Sequence, residues 1–502
     1  MFPIREAREM GKLATKIFPH KEIFKDMLFT LVTFLCLLIT GCKDASAHHE
    51  RGIDYLEKSQ YDKAIIEFTK VLEIEPWLFE AHYNRGLAYY HKGEYDSAIS
   101  DFSTAITINP LDVDACLYRG LVYDASDEYD KAISDFNKAI ELDPEYVDAY
   151  IARVYAHGKK GDYEQAISDC NEAIKLRPWY ADAYVGRGHA YCFENEFDKA
   201  VSDYNKALEM DSGSAEAYYG LGLVDDAKGD YDQAISNYTK AIEIDPKLSY
   251  AFYGRSKAYY EKGEYDLAIS DCNIAIDITP KFAEAYYGRG LTYFQKGQYD
   301  QSISDYTKAI EISLNFAGAY YDRGLAYSKK FQYDQAIFNY TKAIEIEPNF
   351  ADAYYSRGLS YYRKGQYDQS ISNYTKAIEI DPNFVRAYYN RGLAHYKKRQ
   401  YDQSVSDYTK ALEIDPSFVK AYCSRGLIYR KKFQHDQAIS DFTRAIEINP
   451  KYAQAYIDRA IIYYRKKEYD KSWDDVHKAQ SLGLEVNPKF IKDLQKASGR
   501  EK

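Results

Sequence analysis

Small and apolar residues fall on two helical rhythms that alternate along almost the whole chain. In residues 79–112, His82, Gly86 and Tyr89 stand at i, i+4 and i+7, one face of a first helix. Gly93 follows where a left-handed helix stop is wanted. A second helix is predicted next, with Ala98, Phe102 and Ala105 on its inner face. Pro110 ends it, because the residue before a proline avoids helical geometry. The predicted unit is a helical hairpin with one apolar wall, which it cannot bury alone.

The hairpin returns every 34 residues. A Tyr-Asp pair marks each second helix, from Tyr61-Asp62 and Tyr95-Asp96 through Tyr299-Asp300 to Tyr469-Asp470; Tyr163-Glu164, Phe197-Asp198 and His435-Asp436 are variants. Thirteen copies follow one another with no insertion or deletion. With Phe79 as position 1, position 20 is Ala or Ser in every copy and position 8 is Gly in ten, with Val154, Ser256 and Ala460 as the exceptions. Small residues on facing helices let the axes approach to about 8 Å. Position 24 supplies a large plug, such as Phe102, Tyr204, Tyr306 and Tyr374. A fixed period of this length means stacked units, not one globular core. At the end of the array, Asn487-Pro488 reads as a helix start, and Phe490, Ile491 and Leu494 form an apolar stripe over the last pair.

These residues resemble the tetratricopeptide repeat over roughly residues 45–486. The chain departs from the family where Tyr, Phe, Cys or His stands at position 4 in place of tryptophan. The resemblance implies an all-α fold, a right-handed superhelical solenoid of about 13 repeats. It also implies that first helices line a concave groove, that second helices lie on the convex face, and that the protein is a scaffold binding peptides or proteins in the groove.

Composition narrows the partners. The formal net charge of −11 argues against a nucleic-acid groove, which wants a basic stripe. Cys116, Cys170, Cys192, Cys272 and Cys423 show no metal-ligand spacing and read as small buried side chains. The histidines occupy different repeat positions, so no metal cluster is expected. No phosphate loop or nucleophile elbow is present, and the expectation is a non-enzymatic protein without cofactor.

The N-terminal segment reads as an address. An apolar run from Met27 to Ile39 follows Lys21 and Lys25, shorter than the span of about 20 residues that a membrane needs. Ile39-Thr40-Gly41-Cys42 then resembles the lipobox of bacterial lipoproteins. That resemblance implies a signal peptide over 1–41, cleavage before Cys42 and acylation of Cys42, with residues 42–50 as a tether. Lys43 stands where an inner-membrane retention aspartate would be, which leans toward the outer membrane of a two-membrane envelope. Glu6, Glu9, Glu22 and Asp26 depart from the signal pattern, so a cytosolic adaptor with an uncleaved N-terminus is the alternative.

Two rows of residues invite a functional reading. Arginine stands at position 7 in twelve copies, and position 23 carries a hydrogen-bond acceptor in step with it. Inter-helical ion pairs are one reading; an anion-binding ladder is the other. In the groove implied by the resemblance, Tyr219, Tyr253, Tyr287, Tyr321, Tyr355 and Tyr389 would face a partner, with Arg386 and Lys420 adding positive charge toward the C-terminal half. The competing reading is that these rings pack across neighbouring first helices. The last segment, 487–502, is expected to be a capping helix.

Overall fold

The structure, a computed structural model, describes residues 44–500 together with Thr30. The expected signal peptide and Cys42 lie outside the described residues. No strand occurs among the described residues. The chain forms two compact units, one ending at Asp245 and one beginning at Pro246. The first stacks six helical hairpins: 44–57 with Tyr61–Ile74, Phe79–Lys92 with Tyr95–Ile108, Val113–Ala125 with Tyr129–Leu142, Val147–Lys160 with Tyr163–Leu176, Ala181–Phe193 with Phe197–Met210, and Ala215–Lys228 with Tyr231–Ile244. The second stacks seven, from Ser249–Glu261 with Tyr265–Ile278 to Ala453–Arg465 with Tyr469–Ser481, and ends on Pro488–Ser498. The all-α stack of 13 hairpins is thus as expected.

One boundary is corrected. Residues 44–50 are not a tether but the first turns of the helix 44–57. Ala45 is buried against Val71, Leu72 and Ala81, so this helix is the inner wall of the first hairpin. The tether reading treated a polar stretch as a linker, although its small residue sits in repeat register.

Local geometry follows the repeat. Gly93 ends its helix at φ 79°. Asp127, Asn195, Phe331, Arg399 and Phe433 stand at the equivalent position with φ between 58° and 62°, although only glycine adopts that region freely. Stacking imposes the turn even where the residue opposes it.

The packing rests on a ring set into a notch. The plug Phe102 is wholly buried, and a Cβ placed on Gly86 would lie 3.0 Å from it. The same test gives 2.5 Å for Gly120 against Phe136, 2.6 Å for Gly188 against Tyr204 and 2.7 Å for Gly324 against Tyr340. Real Cβ atoms do not come this close to a ring, so glycine is required wherever the plug is aromatic. The three exceptions confirm the rule by compensation. Val154 faces Cys170, Ser256 faces Cys272 with Oγ 2.9 Å from Sγ, and Ala460 shares its repeat with Val476. Where the plug shrinks, the notch fills, so total volume is kept.

First helices also approach the first helix of the next repeat, which second helices do not do as closely among the described residues. Within each unit the first helices therefore form the inner face. The approach is closest at Gly186, Gly220 and Gly288, which share one repeat position. A Cβ on Gly220 would collide with the Tyr204 ring. Glycine at this position tightens the inner face, because interaxial distance follows the side chains at the crossing.

The C-terminal helix closes the second unit. Asn487 caps it by accepting from the Lys489 amide, and Leu494 is buried with Ala460, Trp473, Val476 and Val486. The Trp473 indole N–H donates to Ser498 Oγ at 3.1 Å.

Notch and plug should be exchangeable only together. Gly324→Val is expected to destabilise the second unit by about 1–3 kcal/mol through overpacking against Tyr340. Adding Tyr340→Cys, which copies the Val154 and Cys170 pair, should recover most of that loss in urea unfolding. Strictly additive losses would contradict the notch-and-plug account.

Candidate functional site

The arginine row is committed inside the repeats. Arg119 donates through Nε and Nη2 to the two carboxylate oxygens of Asp135, both at 2.7 Å, and through Nη1 to Ser103 Oγ at 3.1 Å. Asp135 lies on the second helix of the same hairpin and Ser103 on that of the hairpin before. Arg85, Arg425 and Arg459 repeat the clasp with Asp101, Asp441 and Asp475, reaching back to Thr69, Thr409 and Thr443. Arg323 and Arg357 use the amide oxygens of Asn339 and Asn373 at 2.7 Å. Ring faces complete the setting, as with Arg187 over Tyr184 at 5.4 Å and Arg391 over Tyr388 at 5.4 Å. One planar cation thus ties three helices, a use for which lysine has no equivalent geometry. The hydrogen bonding to Asp135 holds the Arg119 pKa above its ordinary value, whereas burial lowers that of Arg323, whose partner is neutral. Of the two readings, the geometry is that of inter-helical ion pairing. At Leu221, where the row breaks, Asn237 instead donates to Asp225 at 2.7 Å.

The expected groove tyrosines are half-buried on the inner face. Tyr287 lies between Tyr306, the plug of its own hairpin, and Phe316 at the head of the next, with ring centroids 5.7 and 4.7 Å away. Tyr321 stands likewise between Tyr340 and Phe350, Tyr355 between Tyr374 and Phe384, and Tyr389 between Tyr408 and Phe418. Tyr253 packs on Phe282, and Tyr219 on Tyr238. These rings mortar neighbouring hairpins, and each stays partly exposed. Hydroxyls reach across as well: Tyr287 donates to Asp322 at 2.5 Å, and the Asn390 amide donates to the Tyr355 hydroxyl at 2.9 Å.

One first-helix position is acidic from Glu80 through the first unit, stays so at the exposed Glu284 and Asp352 of the second, and then turns basic. In the first unit Glu80, Asp114, Asp148 and Asp182 are exposed on successive first helices. In the second unit Arg386 and Lys420 are exposed, as are Lys329, Arg363, Lys397 and Lys431. Lys431 lies 4.6 Å from the Tyr396 ring centroid, a cation–π contact at the surface.

Two features escaped the sequence reading. The first is Asp322, mostly buried, whose pKa burial pushes up to about 6 against the opposing hydrogen bond from Tyr287. The second is a hollow of about 330 Å³ in the first unit, lined by Tyr155, Gly158, Gly186, His189, Phe193 and Tyr219 among others. It lies where two consecutive repeats carry small residues, Gly158 and Cys170 in one hairpin and Gly186 in the next. That run of omissions was the available signal. Among the described residues no group of His, Cys, Asp and Glu could hold a metal ion, and no helix is long and apolar enough to cross a membrane.

Comparison with known families and structures fits this architecture. Family models described as TPR repeat match residues 52–93, 256–297, 290–330, 332–365 and 358–399. Others described as tetratricopeptide repeat match 79–111, 113–146, 385–418 and 419–452, then 181–247 and 147–178. Among solved structures the chain is similar to the APC/C hetero-tetramer Cut9-Hcn1, at 15% identity over 90% of this chain and 96% of that one, with TM-score 0.43. It is similar to MamA at 33% identity over 32% and 95%, with TM-score 0.31, and to a tetratricopeptide repeat protein from Parabacteroides merdae at 20% over 49% and 98%, with TM-score 0.43. No curated protein matches it.

Asp322 sets a pH dependence. Its folded pKa lies above the ordinary aspartate value, so its contribution to stability is full below about pH 4 and is lost as pH rises through about 6. Asp322→Asn keeps the acceptor for Tyr287 and should stabilise the second unit at pH 7.5 by on the order of 2 kcal/mol, with no gain at pH 4. Equal effects at both pH values, read by urea unfolding, would contradict the assignment.

Proposed function

The chain belongs to the tetratricopeptide repeat family, and from that premise we propose that it is an interaction scaffold holding peptide or protein segments against the inner face of its first helices. The observation that supports this reading is the division of labour among polar residues. Arginines and their carboxylates are consumed between helices, as in Arg119 with Asp135. Exposed charges remain on the first helices, and in the last repeats of the second unit they are basic, as at Arg386 and Lys420. Tyr219, Tyr253, Tyr287, Tyr321, Tyr355 and Tyr389 offer ring edges beside them. A partner with an acidic stretch is the one the second unit would favour.

We further propose that the scaffold is lipid-anchored at the cell envelope through Cys42. Support comes from the apolar run followed by Ile39-Thr40-Gly41-Cys42. Several acyl chains, each contributing about 0.8 kcal/mol per buried methylene, hold a protein firmly on a bilayer. The acidic residues Glu6, Glu9, Glu22 and Asp26 favour the second reading, a cytosolic adaptor.

Both parts can be tested in one set of cells. A photoreactive amino acid at Lys420 is expected to crosslink a partner protein that the same group at Lys410, on a second helix, does not. Equal capture from both positions would contradict the inner-face assignment. Fatty-acid labelling of the chain should disappear in Cys42→Ser; labelling that persists, or none in the unaltered chain, would contradict the anchor and favour the adaptor.

A further inference from the structure

The hollow in the first unit arises because large side chains are missing in register. Most repeats carry an aromatic plug at position 24, but here Cys170 stands there with Val154 against it, and Val154 lines the hollow. Gly158 replaces the tyrosine found at the same position as Tyr362 and Tyr396, and Gly186 removes a side chain from the next first helix. The floor is Val154, Ala166 and Ala190, and the rim is Tyr155 and Phe193, which are 46% and 60% exposed. About 330 Å³ is at the lower end of the range of small-ligand pockets. His189 stands in the wall, and its buried Nε2 has no hydrogen-bond partner within the chain.

The surroundings of the mouth are negative. The Tyr155 phenol is pushed up to about 12 by burial and then by the charges of Asp182 and Glu216. Asp148 and Asp182 act in the same sense on Tyr180. The neighbouring cation, Lys159, is neutralised by Asp124 at 2.7 Å. We propose that this hollow is a socket for one large apolar side chain, Phe or Leu, on a partner segment whose neighbouring residues are Lys or Arg. The apolar side chain fills the space between Tyr155 and Phe193, and the flanking cations face Asp148 and Asp182. The socket rests on the reading of the inner face as a peptide-binding surface, and it gives the first unit a partner chemistry opposite to that of the second.

Gly158 provides a clean test. A Cβ built on it meets nothing within 4 Å, and the backbone there is ordinary helix. Gly158→Leu therefore fills the hollow from its own wall without strain, and helix propensity favours the change. A displayed library of random dodecapeptides is selected against the full chain, against Gly158→Leu and against Asp182→Lys. Peptides with Phe or Leu beside Lys or Arg are expected to be enriched by the unaltered chain. Their affinity should fall at least tenfold in Gly158→Leu, with thermal stability held or raised, and should also fall in Asp182→Lys. Enriched peptides without that pattern, or with binding unchanged in Gly158→Leu, overturn the socket and leave the inner-face reading standing. No enrichment at all overturns both. Uptake of oleate, or dimer formation, that is lost in Gly158→Leu while no peptide is enriched would also overturn the assignment.

Discussion

A buried aromatic ring lying against a residue with no side chain is the contact on which the array depends. Each hairpin places Phe or Tyr where its first helix offers glycine, as in Phe136 against Gly120. Burying such a ring contributes about 2–3 kcal/mol, a large share of what a 34-residue unit can supply. The contact also fixes the distance between the two helices, and every other repeat position is registered against that distance. The compensated pairs Val154 with Cys170 and Ser256 with Cys272 show that the constraint is on volume, not on residue identity.

The arginine clasp acts on top of this spacing. A buried cation stabilises little unless each donor meets an acceptor, and here Nε, Nη1 and Nη2 of Arg119 all do. Because one bond reaches the preceding hairpin, the clasp couples neighbours as well as the two helices of one hairpin. The half-buried tyrosines add a second coupling on the inner face, where Tyr355 touches the plug Tyr374 and the next hairpin's Phe384. What these contacts leave uncovered is part of those rings and the charges between them.

Much of this was legible in the sequence, because a strict period assigns each residue to a face before any coordinates are seen. The helices, the glycine and aromatic positions, the pairing of Arg323 with Asn339 and the closing helix over Pro488–Ser498 all follow from register. The start of the array near residue 45 was legible too, and only the tether reading laid over it fails, since residues 44–50 are polar in composition and Ala45 alone betrays the inner face. The double role of Tyr287 was not decidable from spacing, because a ring between two hairpins is both wall and surface. The hollow was invisible for a different reason. It is made of small residues in two neighbouring hairpins, Gly158 in one and Gly186 in the next, that only stacking brings together. Asp322 was hidden likewise, since its burial depends on Tyr287 from the hairpin before.

The central claim is that the seated ring holds the two helices of its own hairpin together, and that neighbours feel it only through the contacts laid across it. Hydrogen–deuterium exchange of the full chain carrying Tyr374→Ala tests it most directly. Protection should fall in Ala351–Arg363 and Tyr367–Ile380, fall less in the hairpins on either side, and stay unchanged at Ser249–Glu261. A uniform loss across the second unit, or no loss at the altered hairpin, would contradict it.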